Sequence, residues 1–64
     1  MKERYQLLVG EKGNVIGHIL GIRCKSVKSA VMRSKRVCSE YYHGDGWWVL
    51  YTDAGEYLDK VGKQ

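Results

Sequence analysis

Only one stretch of this 64-residue chain, SVKSAVMRSKRVC from Ser26 to Cys38, carries a helical repeat. Val27, Ala30, Val31, Ser34, Val37 and Cys38 fall together at 3.6 residues per turn, a small apolar face that suits packing flat on a sheet. Every other periodic segment alternates as a strand does. A chain with one helix and several strands must bury the helix against the sheet, because neither has another apolar surface to meet. Ser26 has the chemistry of an N-cap, and Lys35 and Arg36 are placed in the last turn, where positive charge suits the helix dipole.

Arg4–Val9 alternates as a first strand, and Gly10-Glu11-Lys12-Gly13-Asn14 supplies the residues of a hairpin loop. GEKGN lacks the Gly-Lys-Ser/Thr ending and the following helix of a phosphate-binding loop. Val15–Leu20 is the expected return strand, in which Gly17 is a weak point unless a bulge or a close-packed neighbour uses its missing side chain. Gly21–Lys25 is assigned as a connector to the helix. After Cys38, Ser39–Tyr42 is expected to be a short strand, followed by a turn at His43–Gly46. Trp47–Thr52, apolar on both sides, has the pattern of an interior strand, and Asp53-Ala54-Gly55 fits a three-residue hairpin loop returning through Glu56-Tyr57-Leu58. The sum is an α+β fold of order ββαβββ, an antiparallel sheet of four to five strands with one helix packed on one face, in a single domain spanning residues 1–64.

Size and charge narrow the functional classes. A domain this small buries only about 60% of the surface its unfolded chain exposes, which leaves little room for an active-site cavity. No catalytic site is expected. Cys24, Cys38, His18 and His43 make a Cys2His2 inventory without a C-x2-C or H-x3-H pair, so the local chelation of a zinc module is missing and neither a metal nor another cofactor is expected. Cys38, on the apolar helix face, is assigned to the core. The start MKERYQ carries no apolar signal segment, and the chain has no long apolar run; the expectation is a cytoplasmic protein with reduced thiols, no membrane contact and no small-molecule substrate.

Charge is distributed unevenly. Six basic residues and no acid lie between Arg23 and Arg36, whereas five acids and no Lys or Arg lie between Glu40 and Asp59. The basic helix face, Lys28, Arg33, Lys35 and Arg36, is the candidate surface for an anionic partner. Met32 falls in the middle of that face, where folding alone gives an apolar side chain no role. Trp47, Trp48, Tyr41, Tyr42 and Tyr57 offer an alternative, a stacking platform for single-stranded nucleic acid, but the acids at Asp45, Asp53, Glu56 and Asp59 share those strands and repel phosphate.

The helix SVKSAVMRSKRVC, followed by GWWVLYTDAGEY with the spacing Gly46-x-Trp48-x-x-Tyr51-x-x-x-Gly55, resembles the small phage-encoded anti-CRISPR proteins directed at type I-F surveillance complexes. The likeness runs from about Lys25 onward; the acidic last hairpin and the extra tyrosines depart from it. It implies a compact, single-helix sheet protein, made in a bacterial host cell, that occludes the guide-binding backbone of a ribonucleoprotein with side chains around its helix. Lys28, Arg33, Lys35 and Arg36 would be the corresponding contacts. The expectation is therefore a non-enzymatic inhibitor or adaptor for a host protein or nucleoprotein, with Lys28, Met32, Arg33, Lys35 and Arg36 at the interface. Direct, weakly sequence-specific nucleic-acid binding by the same surface is the alternative.

Overall fold

The structure, a computed structural model, describes residues 2–43 and 45–61. Its elements follow the order β1 (Glu3–Glu11), β2 (Gly17–Cys24), α1 (Val27–Tyr42), β3 (Gly46–Thr52) and β4 (Tyr57–Val61). They form one four-stranded sheet in the order β2-β1-β3-β4, with every neighbouring pair antiparallel. Because β2 and β3 both run against β1, they are parallel to each other, and α1 is the crossover that carries the chain from one to the other over one face.

Alternation along the strands sets what the helix meets. Tyr5, Leu7 and Val9 of β1, Ile22 and Cys24 of β2, and Trp48 and Leu50 of β3 form a buried cluster that takes in Ala30 and Cys38 of α1. Cross-strand register aligns these side chains in rows, Leu7 between Leu20 and Leu50, and Val9 between His18 and Trp48. On the helix, the buried line is Ala30, Ser34 and Cys38, one residue per turn, and Val31 and Val37 flank it half-buried. The Ser34 hydroxyl is fully buried and donates to the Ala30 carbonyl at 2.7 Å, so this polar group costs the core little.

The helix begins where expected and ends later. Ser26 is the N-cap, in extended backbone, its hydroxyl accepting from the Ser29 amide at 3.2 Å. Ser26→Ala is expected to destabilise the protein by about 1 kcal/mol, read as a fall of several degrees in thermal melting, whereas Ser26→Asp should restore the cap. The strand expected at Ser39–Tyr42 is instead the last turn of α1. Nothing before His43 breaks the helix; His43 takes the left-handed conformation (φ 53°, ψ 39°) that ends it, and Tyr42 packs against the core. Lys35 and Arg36 accordingly lie in the body of the helix, and its last turn contains no basic residue. Val27, assigned to the buried face, is exposed at the first helical position.

Two further boundaries move. The return strand is Gly17–Cys24 rather than Val15–Leu20, because Ile22 and Cys24, assigned to a connector, are buried opposite Tyr5 and Glu3. The order is ββαββ, with four strands. Of the glycines expected in hairpin loops, Gly13 (φ 87°) and Gly55 (φ 93°) adopt the positive φ that favours glycine, whereas Gly10, with Glu11, belongs to β1, where it is paired on both sides.

The sheet's other face carries no helix; Trp47 lies over one end of it, and Val49, two residues on, is also buried. Trp47 and Trp48 are consecutive, so they point to opposite faces, and both are fully buried. The Trp47 indole occupies the space that side chains at Gly10 and Gly17 would fill. Its Nε1 donates to the carbonyls of Glu11 (3.0 Å) and Asn14 (2.8 Å), fastening the first hairpin to β3. The Lys12 amide adds a bond to the Asp45 carbonyl at 2.8 Å.

Candidate functional surface on the helix

The outer side of α1 is built from the residues left over when Ala30, Ser34 and Cys38 turn inward. Lys28, Met32, Arg33, Lys35 and Arg36 are all exposed. Met32 is 64% exposed, which settles that it contributes little to the core. Spacings of three and four residues bring Ser29, Met32, Arg33 and Arg36 together around a shallow groove of about 280 Å³. Sequence reasoning placed three of these residues on the surface and missed Ser29, whose position one turn before Met32 and Arg33 was the available signal. Lys28 and Lys35 stand on the same exposed side of the helix without lining the groove.

The basic side chains of this surface share α1 with a single acid, Glu40, four residues beyond Arg36. The first turn of α1 has no acid, and Lys28 sits at its second position, where the helix dipole already presents positive potential. Arg33 and Arg36 are three residues apart, a spacing at which like charges repel. The one ion pair among the described residues joins Arg4 to Asp53 on the sheet (3.8 Å), and none involves the helix. The dipole at Lys28 and the Arg33–Arg36 spacing are both unfavourable to the helix, and an external anion would relieve them.

The other candidate residues separate. The five aromatics considered as a stacking platform do not share a face: Trp47 and Trp48 are buried on opposite sides of the sheet, and Tyr41 and Tyr42 are at the end of α1, their rings 6.0 Å apart. Tyr57 meets Tyr51 edge-on at 6.4 Å on the open face of the sheet. Cys24 and Cys38 are buried free thiols, and burial pushes the Cys38 thiol above its usual range, which makes it a poor nucleophile. His18 and His43 are exposed, on β2 and at the helix C-terminus, and among the described residues no three His, Cys, Asp or Glu side chains gather as a metal site would need. A second groove, of about 390 Å³, lies on the open sheet face between Leu8, Ile19, Tyr51 and the β3–β4 turn. Among the described residues, no helix is long and apolar enough to cross a membrane.

Compared with known proteins, the chain matches no family model, no curated protein and no solved structure.

Proposed function

We propose that the protein is a small non-enzymatic binding module, an inhibitor or adaptor, that docks on an anionic host protein or nucleoprotein through the outer face of α1. The observation that carries this reading is the unpaired basic face around Met32. A flexible thioether at the centre of a patch ringed by Arg and Lys combines a desolvated anchor with charges that steer the encounter. The resemblance to anti-CRISPR proteins of type I-F supports a phage-encoded inhibitor acting in the bacterial cytoplasm on a CRISPR surveillance complex, with Lys28, Arg33, Lys35 and Arg36 contacting its acidic or ribonucleoprotein surface. The same unpaired charges support direct nucleic-acid contact as a second reading.

The test is capture of partners from a bacterial lysate with and without nuclease, followed by binding of the purified pair. Met32→Lys is expected to leave the melting temperature unchanged while weakening binding about ten-fold or more, and Arg36→Glu to act mainly by slowing association. Binding that survives both substitutions in a folded protein would remove this face as the interface. Titration against random-sequence RNA and DNA separates the readings, since direct phosphate contact loses affinity with log salt at a slope of about 0.7 to 0.9 per phosphate neutralised.

A further inference from the structure

The sheet has two edges, and they are protected very differently. β4 is short, its pairing with β3 is broken by a bulge between Leu50 and Tyr51, and it carries Asp59 and Lys60. Those are the devices that keep an edge from pairing with another chain. β2 is longer and has no bulge, and its single charged residue, Arg23, lies next to its end. It pairs with β1 from Gly17 to Cys24 without a break, and the residues from Gly13 to Ile22 form the longest run in the chain free of Lys, Arg, Asp and Glu. The uncharged run of β3 is explained by burial between two strands, but β2 has a strand on one side only. α1 packs chiefly over β3, and among the described residues no backbone bond outside the sheet reaches Gly17–Cys24. Along this edge Val15 and Ile16 are 80% exposed and Ile19 is 69% exposed.

We propose that β2 pairs antiparallel with β2 of a second copy of this chain about a two-fold axis at Ile19, making a continuous eight-stranded sheet with both helices on one side. The sequence around Ile19 is self-complementary in that register. On the open face, the order Gly17, Ile19, Gly21 is the same read in either direction, so each Ile19 meets its counterpart and each Gly17 meets Gly21 of the other copy. The two glycines leave room beside the paired isoleucines; the nearest side chain to Gly21 is Arg4, at van der Waals distance from where a Cβ would stand. On the helix face, His18 meets Leu20. Arg23 falls at opposite ends of the seam, each facing Val15 of the other copy, so no like charges face one another, and Ile16 faces Ile22. An unrelated peptide would match the backbone of this edge but has no reason to match its palindromic order of side chains. This inference is independent of the partner assigned to the helix face.

Sedimentation equilibrium of the full chain over concentrations up to about 1 mM, the range in which small interfaces associate, provides the test. The wild type is expected to form a dimer, and Ile19→Lys, at an exposed position, to raise the dimer dissociation constant at least ten-fold with the melting temperature unchanged. Ile19→Cys should form an intermolecular disulfide under mild oxidation, with Cys24 and Cys38 protected by burial, and Tyr57→Lys on the far strand should leave the dimer intact. A wild type that stays monomeric throughout, a dimer that persists in folded Ile19→Lys, or one abolished by Tyr57→Lys would overturn the proposal.

Discussion

Ala30→Asp is expected to abolish the cooperative thermal transition. Ala30 has no exposed surface and lies in the cluster formed by Leu7, Trp48 and Leu50, where the aspartate would have no cationic partner. Burial of an unpaired carboxylate costs several kcal/mol, a large share of the roughly 5 kcal/mol that a domain of this size can be expected to have. Circular dichroism is the measurement. A variant with wild-type ellipticity and melting temperature would show that this helix face does not meet the sheet. The neighbouring Ser29→Asp, exposed in the first turn, is the control and should not destabilise, because an acid there complements the helix dipole.

The second large effect belongs to Gly10. A Cβ at this position would overlap the Trp47 ring, and the indole cannot move aside without giving up its bonds to Glu11 and Asn14. Gly10→Ala is expected to cost about 2 to 3 kcal/mol, combining overpacking with two weakened hydrogen bonds. Trp47→Ala alone is expected to cost about 3 to 5 kcal/mol. The informative measurement is the double variant. If the clash is the cause, Gly10→Ala should add almost nothing once Trp47 is removed, a strong departure from additivity in denaturant unfolding. Additive costs would mean that the glycine is needed for some other reason.

These two sites differ in how far the sequence reveals them. Ala30 was legible because the helical repeat is local: three small residues spaced by four turn inward whatever they pack on. The start of the helix was legible for the same reason, since Ser26 caps a bond only three residues away. Its end was not. Ser39–Tyr42 has tyrosines suited to a strand, and what keeps it helical is the packing of Tyr42 on a core assembled from distant segments. Gly10 and Gly17 were harder still. By propensity they read as a turn residue and a flaw in a strand, and only the pairing of Gly10 with both Gly17 and Trp47 shows that they make room for an indole. On the functional side, exposure of Met32 within a basic face followed from periodicity, whereas the choice of which strands become edges depends on topology and had no local signal. β2 takes an edge, and Ile19 on it is exposed.

The sheet order also bears on how the protein is made. β1 is synthesised first but ends as an interior strand, held by β2 on one side and by β3 on the other. Its first partner arrives within a hairpin; its second is some forty residues away, with Gln6 facing Tyr51 and Leu8 facing Val49. A nascent chain that has released only the first hairpin and the helix therefore presents one side of β1 bare, with Leu7 and Val9 still unroofed by Leu50 and Trp48. Closure of that gap waits for β3, and the high sequence separation of the pairing is expected to make it slower than closing the first hairpin. Until then the vacant side of β1 is a site that a chaperone or a stray strand can occupy, a vulnerability that ends when Trp47 settles over Gly10.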